Sequence, residues 1–341
     1  MNAQLEPQQS LKMSDDWRRW IAENLLLGSH PATLETVLQK NGFNLPTARM
    51  EINAALSSPY FQGVHRLKNR LDKRDWVLGI DAQLDKIAPS KLERQHQLSG
   101  DQFLHEYYQR NLPVIITGML EDCPARKRWN LDYFRENFSE RQVEVQFGRD
   151  SDANYEMNSI AHKRQMRFGE YVTLVEKSGH CNDMYMTANN DSNNRAALHE
   201  LWNDIPALPE YLKTDQGNQG FFWFGPAGTL TPFHHDLTNN FMAQIMGRKR
   251  VKLIAPCHLP KLNNERHCFT PVDGRDIDYQ RFPLMKGVPV LECILEPGEI
   301  LFLPVGWWHF VESLDISVTI ATTHFRWDND FFSSYPQNHD F

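Results

Sequence analysis

The spacing of hydrophobic and polar positions changes along the chain. Residues 1–13 are mostly polar and are expected to be mobile. Ser14 then reads as an N-cap, and Asp15 and Asp16 suit the positive end of a helix dipole. Trp17, Trp20, Ile21 and Leu25 fall on one helical face, and Gly28 is a stop signal. Pro31 suits the first turn of a second helix, with Leu34, Val37 and Leu38 as its stripe and Asn41-Gly42 as its end. Two more helical segments are predicted near 46–57 and 59–78. Residues 1–90 therefore read as a helical unit, closed by Ala88-Pro89-Ser90.

Beyond that point the period shortens. Phe103, Leu104, Tyr107 and Tyr108 mark a helix that leads into LPVIITG (112–118), a β-branched run that reads as a buried strand. The stretch NNDSNNR (189–195) is turn-rich and is expected to be an exposed loop. From residue 220 the chain is mostly β: FFWFGP, FMAQIM, RVKLIAP, VLECILEPGEILFLP and ISVTIATTHF. Short strands separated by Gly/Pro turns predict a sandwich or barrel. The expected architecture is mainly β with flanking helices over 91–341, preceded by the helical unit.

Composition narrows the classes. Hydrophobic residues make up 41% and charged residues 23% of 341, an ordinary globular balance. No apolar run of about 18 residues is present, so no transmembrane helix is expected. Lys+Arg 36 against Asp+Glu 43 leaves a net charge of −7, which disfavours a generic nucleic-acid binder. The N-terminus lacks the basic and apolar regions of a signal peptide. Five scattered cysteines form no CxxC. A reducing, cytoplasmic setting is expected, without a disulfide framework or a cysteine-based zinc site.

The candidate chemistry lies in Thr231-Pro232-Phe233-His234-His235-Asp236. Strand parity places His234 and Asp236 on one side and His235 on the other. His309 follows a second apolar strand. Two imidazoles and one carboxylate make up the facial triad of non-haem Fe(II) oxygenases. A zinc site accepts the same ligands, and an isolated HxD also arises by chance. Downstream, Arg248, Arg250 and Lys252 share a solvated face, while Lys249 shares the apolar face with Val251 and Leu253. A lysine on that face needs a counter-charge, which the carboxylate of a small acid would supply. Otherwise it is one more solvated lysine in a basic run. Asn240 shares the parity of His234 and Asp236, or serves a turn.

TPFHHD, NNFMAQIMGRKR, PGEILFLPVGWWHFVES and NLPVIITG together resemble the JmjC/cupin-like Fe(II)- and 2-oxoglutarate-dependent oxygenases. The pattern is most similar to the branch of the hypoxia-inducible-factor asparaginyl hydroxylase and its bacterial relatives, over roughly 100–325. The resemblance implies a double-stranded β-helix. It implies His234, Asp236 and His309 as iron ligands, and Thr231 and Lys249 on the far carboxylate of 2-oxoglutarate. Asn240 would lie near the co-substrate, and Tyr185 would be the co-substrate tyrosine, with a core tyrosine as the alternative. His324 would take the place of an asparagine close to iron on the last barrel strand. The dimerising C-terminal helices of that branch have no counterpart before Phe341.

The implied activity is hydroxylation with Fe(II), 2-oxoglutarate and O2, and a peptide or protein side chain is the expected substrate. A small molecule, a tRNA base, and a non-catalytic metal-binding cupin sensor are the alternatives. Phe221, Phe222, Trp223 and Phe224, with Trp307 and Trp308, line a substrate groove or fill the core. The helical unit covers the barrel, forms a homodimer or holds substrate. His162, His180, His199, His258 and His267 show no ligand spacing.

Overall fold

The computed structural model describes residues 12–89, 91–215, 220–264 and 267–336. The opening stretch up to residue 11 lies outside the described residues, whereas Met13 is buried. The chain divides into two compact units, Met1–Ile80 and Asp81–Phe341.

The first unit holds α1 (Asp15–Leu26), α2 (Pro31–Lys40), α3 (Leu45–Ser57) and most of α4 (Pro59–Asp85). Side chains of Ser14, His30 and Asn44 cap the first three helices by accepting backbone N–H bonds in the first turn. Their apolar stripes meet in a small core of Ile21, Leu34, Leu38, Phe43, Ala48 and Ile52, joined by Met13. The division between units falls inside α4. Tyr60, Val64, Leu67 and Leu71 on this helix are exposed.

The second unit is built on strands β1 (Arg94–His96), β2 (Val114–Thr117), β3 (Gln142–Phe147), β4 (Lys163–Arg167), β5 (Met184–Tyr185), β6 (Phe221–Gly225), β7 (Leu230–His235), β8 (Asn240–Met246), β9 (Lys249–Ile254), β10 (Leu291–Leu295), β11 (Ile300–Leu303), β12 (Trp308–Ser313) and β13 (Ser317–Thr322). One sheet runs β1-β2-β11-β8-β13-β6, a second β10-β9-β12-β7, and a third β4-β3-β5. Among the described strands, β1 and β2 pair in parallel and the other pairs are antiparallel. Consecutive strands β6/β7, β8/β9, β10/β11 and β12/β13 each lie in opposite sheets. That alternation closes the two large sheets into the expected double-stranded β-helix.

Strand alternation sorts the core. Ile115, Met242, Leu301 and Leu303 from one sheet meet Val251, Leu253, Cys293 and Leu295 from the other inside the barrel. Phe241, Phe302 and Val318 point outward against Phe103, Tyr211 and Phe325. Phe222 and Phe224 join this outer layer, and Trp307 and Trp308 are buried. These four of the six candidate groove aromatics are therefore core residues. All five cysteines are unpaired.

The stretch 189–195 is not the exposed loop that its composition predicts. Helical turn Asp191–Ala197 occupies most of it, with Asn190 and Asn194 buried. Their amides bond the Glu144 side chain and backbone on β3 at 2.8–3.1 Å. An asparagine-rich run suits a turn by propensity, but the same amides also match a buried strand's unpaired polar groups.

Gly247 makes the corner by which the chain leaves β8 for β9 in the other sheet. Its φ is +67°, and an added Cβ would stand 2.2 Å from the Ile316 carbonyl oxygen. Gly247→Ala is expected to cost about 2 kcal/mol or more in stability. Urea unfolding of the variant beside the unaltered chain measures this.

Candidate functional site

The barrel interior is apolar at one end and polar at the other. Thr231, His234, Asp236, Asn240, Lys249, His309 and Tyr185 line one pocket, with Trp223 and Thr319. Ligand atoms of His234, Asp236 and His309 all lie within 4.8 Å of one another. His234 Nε2 stands 3.7 Å from Asp236 Oδ1, and His309 Nε2 stands 3.9 Å from Asp236 Oδ2. These separations exceed a hydrogen bond, and the three donors face one point where a divalent cation could be held.

The backbone sets which nitrogen faces inward. His234 Nδ1 donates to the Pro232 carbonyl at 2.8 Å, and His309 Nδ1 donates to the Trp307 carbonyl at 3.0 Å. Each Nε2 therefore carries a free lone pair toward Asp236, the tautomer a metal ligand needs. Burial and the adjacent His309 hold the His234 imidazole below its ordinary proton affinity, so it stays neutral and ready to ligate. Asn240 Nδ2 donates to Asp236 Oδ2 at 3.1 Å, which orients the carboxylate. His235 points away and packs edge-on against Trp308.

Simple parity would place Thr231 and His234 on opposite faces of β7. Both face the pocket because the register changes: Thr231 pairs with Val311 and His234 with His309. Three steps on β7 match two on β12, so β7 carries a bulge at Pro232-Phe233. Proline fits there because β7 is the edge of its sheet, where a missing N–H breaks no ladder bond.

Lys249 is 2% exposed. Its Nζ donates to the Tyr185 hydroxyl at 2.8 Å, and among the described residues no carboxylate pairs with it. The nitrogen lies 5.5 and 5.9 Å from the ring centroids of Tyr185 and Trp223. Gly225 lets Tyr185 approach, since a Cβ there would sit 2.6 Å from the ring. A buried amino group without a counter-ion, and a buried Asn240 Oδ1 without a donor, are unmet polar groups in one pocket. A small dicarboxylate bound beside a metal ion answers both demands, so the residues present fit these groups.

His324 does not reach this pocket. β13 ends at Thr322, and the chain turns outward to seat Phe325 in the outer core. His324 instead lines a separate small hollow with Trp202, Lys213 and Thr322. Thr319 and Ala321 are the residues that β13 contributes, because alternate positions on that strand face inward.

Residues 100–331 match the model of the cupin-like domain. The chain belongs to the cupin-like (JmjC) family. It is 33% identical over 261 residues to lysine-specific demethylase JMJ30 of Arabidopsis thaliana, covering 73% of this chain and 57% of that protein. It is 30% identical over 249 residues to lysine-specific demethylase 8 of Xenopus tropicalis, covering 69% and 53%. It is 26% identical over 236 residues to tRNA wybutosine-synthesizing protein 5 of Gallus gallus, covering 65% and 73%. The chain thus spans little more than half the length of the two demethylases. No described helix of this JmjC-family chain is long and apolar enough to cross a membrane.

The JmjC fold also gathers Asp85, Cys257 and His258, which have no motif spacing. His258 Nε2 lies 2.8 Å from Asp85 Oδ2, and Lys261 Nζ lies 3.2 Å from His258 Nδ1. An ammonium only donates, so Nδ1 accepts and Nε2 carries the hydrogen given to Asp85. With no lone pair left on Nε2 for a metal, this is a hydrogen-bonded tie. Burial holds His258 below its ordinary value of 6.5, so it is neutral in the native state. The unfolded chain then takes up this proton first as the pH drops below about 6.5. The contribution of His258 to stability is fully present above that point and declines below it. Unfolding midpoints at pH 7.5 and 5.5 should fall less between the two for His258→Gln than for the unaltered chain.

Proposed function

We propose that the chain is an Fe(II)- and 2-oxoglutarate-dependent oxygenase that hydroxylates a protein side chain. The observation that carries this reading is one pocket with two imidazoles turned inward, one oriented carboxylate and a buried lysine lacking a counter-ion among the described residues. His234, Asp236 and His309 would hold the ferrous ion, whose chemistry is to activate dioxygen while 2-oxoglutarate is decarboxylated. Lys249, Tyr185 and Thr231 bind the far carboxylate through an ion pair and hydroxyl bonds. Asn240 keeps Asp236 in place. Leu303, Met242 and Val311 keep water from the pocket.

The protein-substrate reading rests on a cleft of about 950 Å³ beside β7. Pro232, Phe269, Tyr155 and Glu156 are among its walls, and the Phe269 ring lies against His234. That volume has room for a side chain with part of its flanking backbone. Relatives named lysine-specific demethylases support the same class. A tRNA base is the second reading, supported by the wybutosine-synthesizing relative, but the net charge of −7 opposes it.

His234→Ala is expected to abolish Fe(II) binding in anaerobic titration. Lys249→Met should weaken 2-oxoglutarate binding by about tenfold or more while metal affinity changes by less than about threefold. Mass spectrometry of cell proteins with and without the active chain tests the substrate: a one-oxygen mass gain confined to RNA would refute the protein reading.

A further inference from the structure

A guanidinium lies between the co-substrate pocket and the cleft. Arg149 is 1% exposed and follows the left-handed Gly148 at the end of β3. Its Nη2 donates to the Leu230 carbonyl at 2.7 Å and to Glu156 Oε1 at 2.8 Å. Its Cζ is 4.3 Å from the Tyr155 ring centroid and 5.2 Å from that of Tyr185. Nη1 has no hydrogen-bond partner among the described residues.

Three side-chain contacts of Arg149 lead to the site. Tyr185 receives the Lys249 hydrogen bond. The Leu230 carbonyl belongs to the peptide that continues into Thr231, immediately before the β7 bulge. Glu156 lines the cleft. A corner that needed only filling would be served by an apolar side chain. Burying a charged group with an unpaired N–H is unfavourable, and such features persist where the surroundings impose them for another purpose. Arginine suits two tasks at once, because its edge donates in the plane while its faces stack on rings.

We propose that Arg149 is a positioning residue for the co-substrate end of the pocket. It holds the Tyr185 ring by stacking and the Leu230–Thr231 peptide by a hydrogen bond. Tyr185, Thr231 and Lys249 then stand ready for the far carboxylate of a dicarboxylate. Its tie to Glu156 makes the cleft wall part of the same support. This role rests on the function proposed above.

The test is calorimetric binding of 2-oxoglutarate to the full chain loaded with Mn(II), which avoids turnover. The proteins compared are the unaltered chain, Arg149→Met, Tyr185→Phe, the double variant and Arg149→Lys. Arg149→Met and Tyr185→Phe should each weaken binding about tenfold, and because they share the Tyr185 route the double variant should fall well short of the hundredfold that independent losses would give. Arg149→Lys keeps the charge without the planar fork and should fall between. Mn(II) affinity should stay unchanged, which a general loss of structure would not allow. Should melting curves show Arg149→Met unfolded, Arg149→Lys with Tyr185→Phe supplies the same cycle. Arg149 variants that bind like the unaltered chain, or losses that multiply toward a hundredfold, overturn the proposal. Absence of binding by the unaltered chain overturns the oxygenase reading itself, and this role with it.

Discussion

The barrel interior has to keep a lysine out of water and half-bury an aspartate. Most inward positions carry Leu, Val, Ile or Met, and these exclude solvent. Charged groups at the other end must then find partners within the wall or from a ligand. Asp236 is met by the Asn240 amide, with the two imidazoles beyond hydrogen-bond reach. Among the described residues, Lys249 is met by a hydroxyl and two aromatic rings. This unbalanced burial is unfavourable as it stands, and it marks the pocket as built around an anion.

The backbone does much of the positioning. Carbonyls of Pro232 and Trp307 choose the histidine tautomers, each two residues before its imidazole. The bulge in β7 re-aims Thr231 into the space that His234 faces. Gly225 and Gly247 remove side chains where Tyr185 and a neighbouring carbonyl approach. None of these needs a charged group, so the site retains its polarity for the ligand. The buried Arg149 is the exception, and its contacts converge on the residues that would hold the co-substrate.

The two units rest on different physics. The three capped helices near the N-terminus hold a small apolar core of their own. The barrel depends on strands far apart in sequence, such as β2 with β11 and β6 with β13. Its polar satellites, including the Glu144–Asn190–Asn194 cluster and the His258–Asp85 tie, fasten connecting segments by hydrogen bonds. Similar local compositions therefore serve as turn, helix or buried network according to the partners the fold supplies.

Local signals by themselves settled the helix stripes of the first unit, the β-branched strands after residue 220, and the inward facing of Lys249 beside Val251 and Leu253. Periodicity carries that information because burial alternates with the residue spacing of each element. Family motifs added the grouping of His234, Asp236 and His309, which lie on strands distant in sequence. Only the tertiary structure decided that Thr231 turns to the same side as His234, since a bulge depends on the partner strand. It also decided that His324 leaves the barrel, because the outer core claims Phe325, and that an asparagine-rich run is buried against Glu144. Each of these outcomes depends on a contact with residues far along the chain, and local spacing carries no record of such contacts.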